Sequence, residues 1–183
     1  MRNVILYMSM SLDGIVASDR EHPGVAFDDP EVKQWKLEQI SKAGAHLMGR
    51  VSYQEMGPFW QQSDDAYAGP MNDIPKVVFS KTLSDADASW PVSRVARGDL
   101  ATEIAAIKAE PGADVIVWGG AGFAGALVAA NLIDEYRLFV QPMVLGQGRA
   151  LFDQLPESRH LDLVEATPYP SGIVVQIYRP QRT

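Results

Sequence analysis

The sequence predicts an α/β domain on a mixed sheet, parallel in its middle and antiparallel at its C-terminal edge, with helices on both faces. Three observations carry this. Strand-like and helix-like runs alternate from residue 3 to about residue 132, the pattern of parallel strands joined by crossover helices. Asp114-Val115-Ile116-Val117-Trp118 is a short, continuous apolar run of the kind that is buried on both faces. Beyond it, runs 136–141, 161–166 and 172–178 have strand character and no helical run between them, which gives the antiparallel end.

Taken in order, Asn3-Val4-Ile5-Leu6-Tyr7-Met8 is apolar, rich in strand formers and halted by Asp13-Gly14, so it reads as a buried strand. Asp29-Pro30-Glu31 offers an N-cap, a first-turn proline and a dipole-favoured acid, opening a helix with Trp35, Leu37 and Ile40 on its inner face. Ala45-His46-Leu47-Met48 is a second strand ending at Gly49-Arg50, and 52–59 a short helix. The polar stretch 61–75 reads as a long loop, either a cover for the substrate side or a plain surface connection. Lys76-Val77-Val78-Phe79-Ser80 is a third strand and 93–96 a weaker fourth; Asp99 then caps a helix that stops at Pro111-Gly112. The 114–118 strand leads through Gly119-Gly120-Ala121-Gly122 into a small-residue helix ending near 132. With no internal repeat and a length of 183 residues, the whole chain 1–183 is expected to form one domain.

Composition narrows the function. Sixteen Lys and Arg against 23 Asp and Glu give a net charge of −7 with no basic cluster, so nucleic acid is not an expected partner. The absence of cysteine excludes disulfides, thiolate zinc sites and a Cys nucleophile. His22, His46 and His160 are scattered without metal-ligand spacing, so no metal site is expected. The first eleven residues lack the long apolar core and cleavage site of a signal peptide, and no apolar run reaches the ~18 residues of a membrane span. A cytoplasmic protein with a small-molecule substrate is the expectation.

Gly120-Ala121-Gly122-Phe123-Ala124-Gly125 matches G-x-G-x-x-G between a strand and a helix. A dinucleotide fold of the doubly wound type would then place a ribose-binding acid some twenty residues on, where this chain reads Phe139-Val140-Gln141-Pro142. Two readings of the turn stay open: free N–H groups receiving a phosphate, or small residues that let the helix pack closely on the sheet.

Several segments, taken together, resemble the dihydrofolate-reductase-like superfamily. They are Met10-Ser11-Leu12-Asp13-Gly14-Ile15-Val16-Ala17, Leu47-Met48-Gly49-Arg50-Val51-Ser52-Tyr53-Gln54-Glu55, Val77-Val78-Phe79-Ser80-Lys81-Thr82-Leu83 and Val117-Trp118-Gly119-Gly120-Ala121-Gly122. Leu132-Ile133-Asp134-Glu135-Tyr136-Arg137-Leu138, with Pro142-Met143-Val144-Leu145-Gly146-Gln147-Gly148 and Leu151-Phe152, is similar to the branch related to the riboflavin-biosynthesis reductase, the RibD C-terminal domain. The resemblance implies a three-layer sandwich and NADPH lying across the C-terminal ends of the strands. It assigns Arg50, Ser52, Ser80, Lys81 and Thr82 to the 2′-phosphate and adenine, in keeping with the guanidinium fork, hydroxyls and positive charge that a dianion requires. Gly119, Gly120, Ala121, Gly122 and Phe123 would take the diphosphate, and Ala17, Gly49 and Phe79 would border the cofactor. A lone helix-start arginine is commonly just solvated, so Arg50 is informative only if it meets Ser80-Lys81 in space.

The resemblance also places Asp13 beside the nicotinamide as the carboxylate for substrate orientation or protonation, with Ser11 and Trp118 on the substrate side; Asp-Gly after a strand is also an ordinary turn pair. Dihydrofolate reductases carry an acid on the first helix near the place of Lys33 and a Pro-Trp pair before it, which this chain lacks. The riboflavin-pathway reductases have a lysine where Tyr7 stands, and their zinc deaminase partner domain needs cysteines. The expectation is an NADPH-dependent reductase acting on C=N or C=O of a small heterocyclic or sugar-derived compound, such as a riboflavin-pathway-like pyrimidine. The alternative is a non-catalytic nucleotide-binding or sensor homologue. A homodimer is expected by family analogy; a pure interaction module pairing through strand 136–145 is a third reading.

Overall fold

A computed structural model describes residues 1–24 and 28–181. In chain order its strands and helices are β1 (Val4–Ser11), β2 (Ile15–Ala17), α1 (Pro30–Ile40), β3 (Ala45–Gly49), α2 (Arg50–Gln62), α3 (Ala68–Asp73), β4 (Lys76–Phe79), β5 (Ser93–Ala96), α4 (Leu100–Ala109), β6 (Val115–Trp118), α5 (Ala121–Ala129), β7 (Glu135–Gln141), β8 (Arg149–Ala150), β9 (Leu161–Pro168) and β10 (Val174–Pro180). The main sheet runs β5-β4-β3-β6-β1-β7-β10-β9. Its first six members are parallel, while β10 is antiparallel to both β7 and β9. The most apolar runs take the central places, where both faces are covered.

Side-chain alternation along each strand splits the interior into two layers. Leu6, Leu47, Val77 and Val117 pack on one face with Ile104 and Ile107 of α4 and with Ala124, Leu127 and Val128 of α5. Ile5, Met48, Val78 and Phe139 pack on the other with α1, α2 and α3. Leu6 and Leu47 are fully buried, and each such side chain contributes roughly 1.5–3 kcal/mol relative to exposure. The outcome is the three-layer α/β sandwich that the sequence predicts.

Local signals set the helix ends. Asp29 Oδ1 accepts from the amides of Glu31 and Val32 at 2.9 and 3.1 Å, and Asp99 Oδ2 accepts from that of Thr102 at 3.1 Å. Four details depart from the sequence expectation. Val32 and Ile40 are the buried residues of α1, while Trp35 and Leu37 are half-buried. The stretch expected as a loop contains α3, whose carbonyls at Met71 and Asn72, together with that of Ile74 just beyond its end, accept from Lys76 Nζ at 3.0, 2.6 and 2.8 Å; a cation at a helix C-terminus is favourable there. Helix α5 stops at Ala129, followed by Asn131 with φ +57°. Strand β7 lies between β1 and β10, so the 136–141 run has no free edge on which to pair with its own copy.

Candidate functional site

The C-terminal tips of β3, β4 and β6 lie side by side, with Gly49 opposite Phe79 and Leu47 opposite Val117. Two helices start at these tips, α2 directly after Gly49 and α5 directly after Gly120. A Cβ on Gly49 would stand 3.0 Å from Cβ of Phe123, and the Phe123 ring lies 4.9 Å from that of Phe79. Gly120 has φ +93°, and a Cβ there would come within 2.7 Å of Ser52 Oγ. The Ser52 hydroxyl donates to Gly119 O at 2.8 Å. Gly49, Ser52, Phe79, Gly119, Gly120 and Phe123 are thus drawn into one place, and the backbone turn at Gly120 is open only to glycine.

The two helix starts differ from those of α1 and α4. The latter have Asp N-caps and a Glu in the first turn. Both α2 and α5 have a glycine N-cap, no side-chain cap bond and no acid in the first turn. Their first amides have no intrahelical partner, so two sets of N–H donors and two positive dipole ends meet at the strand tips. Arg50 is exposed, donates to Gln54 Oε1 at 2.8 Å and forms no ion pair with a described residue. Ser80 Oγ accepts from the amides of Thr82 and Leu83 at 3.1 and 2.9 Å, a turn that leaves Lys81 and Thr82 exposed.

A further guanidinium arrives from a segment whose glycines, and not its arginine, stood out in the sequence. In the two-stranded sheet of β2 and β8, Ala17 pairs with Arg149 and Ile15 with Ala150. Gly148, at φ +145°, lies so close to Ala17 that a Cβ would meet its carbonyl oxygen at 2.5 Å. That approach delivers Arg149 to the first turn of α5, where Nη1 is 3.9 Å from the place a Gly122 Cβ would occupy. Arg149 is exposed and has no hydrogen bond or ion pair to a described residue. Donors and cations therefore gather at one end of the sheet in a protein of net charge −7. The open depressions of about 860 and 460 Å³ lie at the opposite end, beside Asp134 and Arg179 and beside Arg2 and Pro75.

Asp13 and Ser11 are tied to each other and to the segment after β7. Asp13 Oδ1 accepts from the Ser11 hydroxyl at 2.6 Å and from the Leu145 amide at 3.2 Å, and Oδ2 accepts from the Gly146 amide at 2.7 Å. These bonds hold its carboxyl down at about 2, the Ser11 bond being the largest cause. A proton donor needs the opposite shift, which argues against protonation by Asp13 and leaves the orienting role of its carboxylate, while its bonds tie the 11–14 turn to residues 145–146. Ser11 is fully buried, and its hydroxyl, which also accepts from the Ile15 amide at 3.0 Å, presents no surface to a ligand.

Trp118 is half-buried at the tip of β6. Its Nε1–H donates to Nδ1 of the fully buried His46 at 2.9 Å, and His46 Nε2 lies 3.2 Å from Pro70 O. An acceptor at Nδ1 and a donor at Nε2 define one neutral tautomer. Burial pushes this imidazole down to about 4, which keeps it neutral. On the same face, Tyr7 stacks on Trp35 and meets Trp118 and Phe139, while Lys36 Nζ stands 3.9 Å over the Phe139 ring.

A mixed sheet whose parallel strand tips meet two uncapped helix starts, with guanidinium groups beside them, defines a three-layer α/β protein with amide donors and cations gathered at one end. Residues 2–175 match the model of the RibD C-terminal domain, and the chain belongs to that family. It is 25% identical over 182 residues to YyaP of Bacillus subtilis strain 168, covering 97% of this chain and 94% of that protein. A candidate riboflavin biosynthesis protein from Shewanella sp. PV-4 superposes with a TM-score of 0.78 over all of both chains at 22% identity. Dihydrofolate reductase from Enterococcus faecalis, complexed with NADP(H) and RAB-propyl, superposes with a TM-score of 0.66 at 13% identity, covering 98% of this chain and 97% of that one. The fold is dihydrofolate-reductase-like.

Proposed function

We propose that this chain is an NADPH-dependent reductase that delivers hydride to a C=N or C=O carbon of a small heterocyclic or sugar-derived substrate, with a riboflavin-pathway-like pyrimidine as one candidate. The observation that carries this is the convergence of two uncapped helix starts with Arg50 and Arg149 at the strand tips. The donor set fits a phosphate-rich dinucleotide. Amides of the Gly120–Phe123 turn and Arg149 suit a diphosphate, and Arg50, Lys81 and Thr82 suit a further phosphate on the ribose. Ser52 and Ser80 shape their turns through bonds already made. When bound, NADPH supplies the hydride. The chain's own groups fix its place, and Trp118, held by His46, walls the side where a substrate would sit.

Titration with NADPH should quench tryptophan fluorescence saturably, since Trp118 adjoins the glycine turn. No change up to about millimolar cofactor overturns the proposal. Steady NADPH oxidation with a panel of pterins, flavin precursors and carbonyl compounds separates an enzyme from a nucleotide-binding homologue without turnover. The second reading has one observation in its favour, the tied-down Asp13. A homodimer in the cytoplasm completes the proposal. Among the described residues no helix is long and apolar enough to cross a membrane.

A further inference from the structure

Lys76 on β4 and His46 on β3 are register partners, and both are fully buried. Their side chains end on the same helix terminus. His46 Nε2 lies 3.2 Å from Pro70 O, while Lys76 Nζ donates to the carbonyls of Met71, Asn72 and Ile74 at 3.0, 2.6 and 2.8 Å. A helix leaves its last carbonyls without intrahelical partners, and an ammonium with three donors satisfies them where water has no access. These bonds do not neutralise its charge. Asp73, the last residue of α3, attracts the ammonium but is exposed and forms no ion pair with it. The other groups beside it are the Trp90 ring, 5.0 Å from Nζ, and the Tyr53 hydroxyl, which accepts from the Trp90 amide at 2.8 Å.

The buried cation limits what His46 can be. An imidazole can donate to Pro70 O from Nε2 whether it is neutral or protonated, but only the neutral ring leaves Nδ1 free to accept from the Trp118 indole at 2.9 Å. A protonated His46 would place a second buried charge across the β3–β4 ladder from the first, at the end of one short helix. Burial, with the charge of Lys76 in addition, holds His46 at about 4 against the pull of the Pro70 carbonyl. Burial also draws Lys76 down to about 8, against the attraction of Asp73. Between those two values Lys76 carries the charge and His46 accepts the indole.

We infer that Lys76 is a positioning residue of the strand-tip site: its buried ammonium fixes the end of α3 and keeps His46 in the accepting form, and through His46 it holds the Trp118 indole beside the glycine turn. This rests on the reductase reading in that Trp118 borders the substrate side, but the coupling is read without cofactor. The test follows the imidazole nitrogens of His46 and the indole N–H of Trp118 by nuclear magnetic resonance on the full chain as pH is varied. In the wild type both signals should move together near pH 4, with a second, smaller step near 8 as Lys76 loses its proton. In Lys76→Met the His46 midpoint should rise by about one pH unit or more, and the Trp118 signal should follow it. Trp118→Phe should raise the midpoint as well, because Nδ1 then loses the bond that favours the neutral ring. An unchanged His46 midpoint in folded Lys76→Met or in Trp118→Phe, or a Trp118 signal that does not follow His46, overturns the inference. If Lys76→Met does not fold, the wild-type step near 8 decides, and its absence from both signals is the overturning result. NADPH is titrated separately on the same preparations: coupling in a chain that does not bind NADPH removes the reductase reading and leaves Lys76 its role, whereas binding without coupling does the reverse.

Discussion

Gly120 leaves no room for any other residue. Its φ of +93° is strained for an L side chain, and a methyl group there would displace the Ser52 hydroxyl from Gly119 O. Gly120→Ala should cost on the order of 2 kcal/mol in stability and weaken NADPH binding further than that loss explains; denaturant unfolding and fluorescence titration read the two effects separately. Arg149→Ala should leave the fold intact and weaken NADPH about tenfold, an effect that shrinks with added salt. Unchanged affinity would remove Arg149 from the site. Asp13 makes a prediction about pH. Its carboxyl is held at about 2, below the ordinary value of about 3.9, so its bonds to the loop amides are complete above pH ~4 and are lost as the pH falls through about 2. The Leu145 and Gly146 amide resonances should titrate together in that low range, and Asp13→Asn should abolish the transition.

Among the elements, β3 and β6 share a relay that runs from the Trp118 indole through His46 to the Pro70 carbonyl of α3. Since burial lowers His46 to about 4, from an ordinary value of about 6.5, the fold should lose stability as the pH falls from about 6.5 to 4, by on the order of 3 kcal/mol over the whole interval. Thermal unfolding across that range measures it, and His46→Asn should flatten the slope. Elements with local signals were legible in the sequence. Asp29 and Asp99 announce their helices, and the apolar run 114–118 announces a strand buried on both faces. Elements held by distant partners were not. Strands β2 and β8 contain three and two residues, and their pairing depends on a contact across most of the chain. Helix α3 is completed by Lys76, which in the sequence reads as the start of a strand. The glycine turn and Trp118 could be named beforehand because their backbone context is local, and Arg50 because the resemblance points to it. Arg149, Lys36 and His46 could not, because nothing in their own surroundings says which strand or loop they will face.

For the molecule as a whole, the sheet has edges at β5 and β9. Strand β9 is eight residues long and mostly exposed, with Leu163 at 57% and Val164 at 47%. A long edge strand with apolar side chains in water is a place for a second copy to pair, so the expected homodimer should form through β9. Leu163→Lys combined with Val164→Lys should convert a dimer to a monomer in size measurements, and a monomeric wild type would refute the expectation. The β2–β8 ribbon has a consequence for loop length. Because neighbouring side chains on a strand point to opposite sides, adding or deleting one residue between Gly146 and Arg149 would swing the guanidinium away from α5 without unfolding any helix. The spacer after Gly146 is thus a ruler, and its count should matter more to the proposed NADPH affinity than the identity of Gln147.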